Sequence, residues 1–166
     1  MKKALKWILI SGITVTGLYY GLIYGYMIYL QNLPKEERYL IPEGYVGWIV
    51  IHYIMPQHPE IPIDKDGLKI IKIPENGEFK TSFNPTTSVG SEGRYGSEYF
   101  YYSEEEIRKV PIELIDWRGN QGRVDDNGKY FEFRTRLWVG TQEQYAQYGM
   151  ASYENPKPGP IFSLAK

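Results

Sequence analysis

The chain has 166 residues, 17 glycines, 11 prolines, 16 tyrosines, no cysteine and a net charge of −1. The missing cysteine excludes disulfides, thiolate metal sites, a cysteine nucleophile and a lipid-modified cysteine. Lys2, Lys3 and Lys6 are the only charges in residues 1–34, so 16 basic residues face 20 acidic ones beyond them, an excess of four acids that makes the domain a poor candidate for binding nucleic acid through phosphates.

Residues 1–6 form a short basic start, followed by 24 residues without a charge at 7–30 (WILISGITVTGLYYGLIYGYMIYL). A helix of that length spans the ~30 Å hydrocarbon core of a bilayer with some tilt. The spacing predicts one transmembrane helix with a cytoplasmic N-terminus and everything after it outside. A cleaved signal peptide is the rival. Its apolar core would be about 7–15 residues with a small-x-small site. The run here is longer and Thr14-Val15-Thr16 comes too early, so the uncleaved anchor is favoured. Gly17, Gly21 and Gly25 recur every four residues and predict a face for self-association, against the plain alternative that glycine is common in membrane helices.

Residues 31–38 read as a linker, at most ~28 Å long when extended. Residues 39–150 read as one extracytoplasmic domain, mainly β: a compact antiparallel β-sandwich-like fold with short helices. A strand at 39–41, the turn Pro42-Glu43-Gly44 and a long strand at 45–54 predict a first hairpin. The long strand is apolar on both faces, as a covered central strand should be. Residues 55–63 carry three prolines and predict an extended loop. Strands at 68–73 and 78–82 flank Pro74-Glu75-Asn76-Gly77, a second predicted hairpin. Residues 83–98 read as a long loop, 99–102 as a strand and 103–108 as one helical turn opened by Ser103. Strands follow at 110–117 and 130–139, with turns at 118–120 and 125–128. In the last strand Glu132, Arg134, Arg136 and Trp138 share one face, read as solvated. Thr141 and Gln144 stand at capping-box spacing before a short helix stopped by Gly149. Residues 151–166 read as a loosely attached tail, and no internal repeat is evident.

No catalytic, cofactor-binding or metal residue is assigned. His52 and His58 lie near Glu60, Asp64 and Asp66, but the spacing matches no ligand pattern. Asp64-x-Asp66-Gly67 and Asp125-Asp126-Asn127-Gly128 resemble parts of calcium loops, yet neither has the later bidentate Glu, and tight turns need the same residues. The tyrosine surplus, with Tyr95, Tyr145, Tyr148 and Tyr153 in or near loops, points to stacking on sugars or a protein partner. The competing account is cross-strand and membrane-facing packing.

At YLIPEGYVGW, with IPENGEFKTS and WVGTQEQY downstream, residues 38–148 resemble an uncharacterised bacterial family, the domain of unknown function 6843. The resemblance implies an exported or lipid-anchored protein and brings no activity or site residue. The chain departs from lipoprotein members in having no cysteine after its apolar leader, which leaves the helix as the anchor. The sequence therefore predicts a single-pass protein of the bacterial cell membrane. Its partners would be the bilayer and an envelope polymer or protein, met by loops 83–98 and 55–63. The alternatives are an envelope hydrolase acting on wall polymers, for which the discriminator is a deep pocket with convergent carboxylates, or an accessory subunit of a membrane complex.

Overall fold

In a computed structural model, residues 2–32, 34–85, 96–150 and 157–161 are described, with side chains from Thr14 onward except those of residues 31 and 117. The chain divides into two compact units, Met1–Pro34 and Lys35–Lys166.

The first unit is one helix, α1 (Lys2–Gln31). It ends at Asn32, whose side-chain amide donates to the Ile28 carbonyl at 2.8 Å and satisfies one of the last free acceptors. Pro34, two residues on, cannot continue a helix. Leu18, Leu22, Ile23 and the tyrosines between 19 and 29 are exposed on it. Among the residues whose side chains are described, no helical stretch is long and apolar enough to cross a membrane.

The second unit is mainly β, with two packed sheets. Sheet A runs β3 (Lys69–Lys72), β1 (Glu37–Pro42), β5 (Ser97–Tyr102), β6 (Ile107–Lys109). Sheet B runs β4 (Glu78–Lys80), β2 (Gly47–Tyr53), β8 (Tyr130–Val139), β7 (Ile115–Val124), with β9 (Gly159–Pro160) also on β2. The inward residues of sheet A (Tyr39, Ile41, Ile71, Tyr99, Tyr101) meet those of sheet B (Ile49, Ile51, Tyr53, Phe133, Leu137, Val139) in one buried core. Each fully buried aliphatic side chain there contributes roughly 1.5–3 kcal/mol. β2 lies between β4 and β8 and is buried along its length except at half-buried His52, the covered central strand its composition predicts.

Neither predicted hairpin in the first half forms. The turn at Glu43-Gly44 carries the chain from β1 in sheet A to β2 in sheet B, and the turn ending at Gly77 carries it from β3 to β4. The two arches stack in parallel, with Tyr39 opposite Ile71 and Ile51 opposite Phe79. Both open on Ile-Pro-Glu, at Ile41 and Ile73, a recurrence the sequence reading missed. The physical reason is burial on both flanks: Ile41 and Ile73 before the turns and Ile49 after the first all point into the same core. An arch places both flanks between the sheets, where a hairpin would leave them side by side in one. The sandwich is consequently mixed and not antiparallel, since β1 pairs in parallel with both β3 and β5.

Further differences are local. Residues 103–106 make a hairpin turn from β5 to β6 and no helix, with the Ser103 hydroxyl accepting from the Glu105 and Glu106 N–H groups. Residues 118–120 form a bulge inside β7 and no turn, whereas the turn at Asp125–Gly128 joins β7 to β8 as predicted. The capping box of Thr141 and Gln144 is present and opens α2 (Gln142–Gln144), which continues as a π-helical turn over Tyr145–Gly149. That turn lays Tyr145 on Trp48 and Trp138, so Trp138 is fully buried on a face predicted to be solvated. Of the predicted tail, Gly159 and Pro160 are docked on β2 as β9, while residues 151–156 and 162–166 and most of loop 83–98 (residues 86–95) lie outside the described residues.

Candidate functional site

The strands that build the core also lay out a flat face on the other side of sheet B. Alternation turns Trp48, Val50 and His52 of β2 outward, and register aligns them with their neighbours. His52 lies between Lys80 and Arg134, Val50 between Glu78 and Arg136, and Trp48 opposite Trp138. Gln121 extends the first row and Asp116 the last.

One ion pair and further polar contacts hold this face. His52 Nε2 is 3.2 Å from Glu78, and Lys80 Nζ is 3.2 Å from the other Glu78 oxygen. Arg134 Nε donates to Gln121 at 2.8 Å. Burial holds the His52 imidazole below the usual histidine range; Glu78 opposes this, while Lys80 and Arg134 add to it. His52 is therefore neutral at pH 7, and two carboxylates, Glu78 and Glu132, act on it among the cations Lys80, Arg134 and Arg136.

Aromatic rings close the face at one end. Trp48, Trp138 and Tyr145 meet edge-to-face with centroids 5.6–5.9 Å apart, a favoured arrangement. The Arg118 guanidinium lies 3.8 Å from the Tyr145 ring centroid and pairs with Asp116, which also accepts from Gln142 at 3.3 Å. The result is a sheet face on which cations alternate with the carboxylates of Glu78 and Glu132, closed at one end by a buried ring cluster.

The outer face of sheet A is built differently. Arg38 pairs with Glu98 at 3.1 Å and Asp64 at 3.0 Å while lying over Phe100, so its charge is met twice over.

The residues weighed in the sequence do not gather. His52 joins the face, whereas His58 stays in the proline-rich loop. Asp64 Oδ1 accepts from the Asp66 and Leu68 N–H groups, and Asp125 Oδ1 from those of Asn127 and Lys129, so both acidic motifs close turns. Among the described residues no group of three His, Asp or Glu side chains could hold a metal. Loop 55–63 is strapped down: Thr81 Oγ1 donates to the Pro59 carbonyl at 2.8 Å, and Ile70 N–H to that of Pro62 at 2.8 Å. The tyrosine surplus goes largely into packing, since Tyr39, Tyr45, Tyr53, Tyr99, Tyr101 and Tyr145 are buried and Tyr148 is exposed. Tyr95 and Tyr153 lie outside the described residues. Lys80, Arg134 and Arg136 were the residues missed. Their signal was the alternation Glu132, Arg134, Arg136 in β8, which only pairing with β4 turns into a site.

Inside the sandwich, Tyr39 donates to Glu37 at 2.9 Å, and the Tyr53 hydroxyl is hydrogen-bonded to Tyr39 and Thr135. Burial raises the Glu37 carboxyl above its ordinary range, with the Tyr39 hydrogen bond opposing. This network ties the two sheets together.

A model of the family of unknown function DUF6843 matches residues 34–148, in agreement with the resemblance carried by YLIPEGYVGW. No curated protein matches the chain. Among solved structures, a Bacillus anthracis protein named as a "putative lipoprotein" aligns with a TM-score of 0.52 at 21% identity, covering 67% of this chain and 76% of that one. At that identity the likeness speaks for the fold alone.

Proposed function

This chain belongs to DUF6843, a family of unknown function, and we propose that it is a cell-envelope binding module that takes anionic envelope polymers on the outer face of sheet B. The observation that carries this reading is the grouping of Lys80, Arg134 and Arg136 in adjacent rows beside Trp48, Trp138 and Tyr145, on a domain whose remaining charge is net acidic. Cations in register meet repeated phosphates or carboxylates, while the buried Trp48, Trp138 and Tyr145 cluster holds that end of the face in place. The envelope location draws support from the charge-free run at 7–30 and from the name of the Bacillus anthracis neighbour.

In this reading α1 is a retained single-pass anchor. Its 30 residues are helical throughout, with Lys2, Lys3 and Lys6 on the cytoplasmic side. Gly17, Gly21 and Gly25 leave open space along it and pair it with a second copy in the membrane. The test is co-sedimentation with poly(glycerol phosphate) and with a neutral glucan. Retention of the first alone is expected, weakening with salt. Equal retention of both, or of neither, refutes the reading.

One observation favours a hydrolase as the second reading. His52 and Glu78 form a neutral histidine with an orienting carboxylate, half of an acid–base pair. Release of wall fragments that is lost in His52→Gln would favour this reading.

A further inference from the structure

The edge of β2 carries a second built feature, which borders the Trp48, Trp138 and Tyr145 cluster at the end of the polymer face. β4 covers this edge only from Val50 onward, which leaves Gly47 and Trp48 to β9. The slot is shaped for a backbone. Gly47 has φ +152°, and a methyl group there would overlap the Gly159 carbonyl oxygen. A methyl at Gly77 would overlap both the Tyr45 hydroxyl and the Gly159 nitrogen. The Tyr45 hydroxyl donates to the Trp48 carbonyl at 2.5 Å and accepts from Gly159 N–H at 3.2 Å, so a buried polar group reads the incoming strand.

The occupant is equally specific. Gly159 has φ +127°, which a side chain would strain, and a methyl group on it would lie 3.5 Å from the Asn76 carbonyl oxygen. Pro160 lies opposite Gly47. Ile161 N–H donates to the Val46 carbonyl at 2.8 Å, and its side chain packs on the Trp48, Trp138 and Tyr145 rings. The slot residues all fall within the family match at 34–148, and the segment that fills the slot falls beyond it. β2 keeps β8 along its length and β4 from Val50 onward without β9, so only the Gly47–Trp48 edge depends on that segment.

We infer that the β2 edge at residues 45–48 is an acceptor slot for an extended Gly-Pro-apolar peptide, and that the 159–161 segment of a second copy of this chain fills it in exchange with the chain's own. Strand addition to an exposed sheet edge is a common recognition mode, with main-chain hydrogen bonds giving affinity and a side-chain pocket giving specificity. Among the described residues the 159–161 segment is held by two ladder pairs, one further backbone bond and the Tyr45 hydroxyl, few enough to open at low cost relative to global unfolding. Every copy carries both slot and segment, so exchange links copies without any new surface.

The absence of native cysteine makes the test direct. Full-length chains carrying Val46→Cys alone and Ile161→Cys alone are mixed under mild oxidation. The expected result is a disulfide between the two chains, formed at least tenfold more than when the Ile161→Cys chain also carries Gly159→Val. A single chain carrying both cysteines reports the slot itself, because it should close an internal disulfide. Internal closure without cross-linking between mixed chains would overturn exchange between copies. Failure of internal closure in a chain with a normal circular dichroism spectrum would overturn the slot.

Discussion

The two faces of sheet B are made by alternate residues of the same strands, yet they do different work. Inward, Ile49, Ile51, Leu137 and Val139 are fully buried and bind the two sheets together. Outward, neutral His52 and the charged Arg134 and Arg136 are half-buried in rows. One residue step therefore separates a position that specifies the fold from one that is free to specify a ligand. Trp138 is the exception. It points outward by alternation but is covered by Tyr145, so at that end the outer face has a small core of its own.

The comparison is broken hardest from the inside. Leu137→Ala should lose about 2–5 kcal/mol in denaturant unfolding, by lost burial plus a cavity. Trp138→Ala should cost about 3–5 kcal/mol and behave as an inner residue despite its outward register. A cost under about 1 kcal/mol would mean that the Tyr145 turn is not holding it. Next comes the double variant Lys80→Glu with Arg134→Glu. Its unfolding midpoint should stay near wild type while polyanion affinity falls at least tenfold, about 1.4 kcal/mol.

Smaller effects concern pH. His52 is held low in the folded state, so its contribution is present above the ordinary histidine value of 6.5 and lost as pH falls through the lower folded value. His52→Gln should flatten that acid-side loss in thermal melts. Glu37 has the opposite sign. Its folded value is raised above 4.5, so stability is highest below that value and declines as pH rises through the folded one. Glu37→Gln should remove this decline and leave the protein no less stable at pH 7. The smallest effect is expected in α1: Gly21→Leu should weaken self-association in membranes without changing the melting of the β domain.

Much of the strand content was legible. The β-branched and aromatic run at 45–54, the Asp125–Gly128 turn and the Thr141 capping box were read from residue type and spacing, because each is a local device. What failed was partner choice. Pro42-Glu43-Gly44 and Pro74 to Gly77 have hairpin chemistry, yet the burial of Ile41, Ile49 and Ile73 in one core turns both into arches between sheets. Local turn chemistry states that the chain reverses and leaves open which sheet it enters. The candidate site was unreadable for the same reason. Lys80 and Arg134 are 54 positions apart and meet His52 only through the pairing of β4 and β8 with β2. The tyrosines misled because a phenol in a core and a phenol on a surface look alike in sequence; Tyr39 and Tyr99, stacked with centroids 5.0 Å apart, are interior.

The most direct test measures poly(glycerol phosphate) binding by titration calorimetry at low and moderate salt. Wild type is set against the Lys80→Glu, Arg134→Glu chain, with the melting temperature of each recorded alongside. The account predicts salt-sensitive binding by wild type, at least tenfold weaker binding by the variant, and melting temperatures that coincide. Binding of equal strength by two equally folded chains would contradict it, as would a wild type that does not bind.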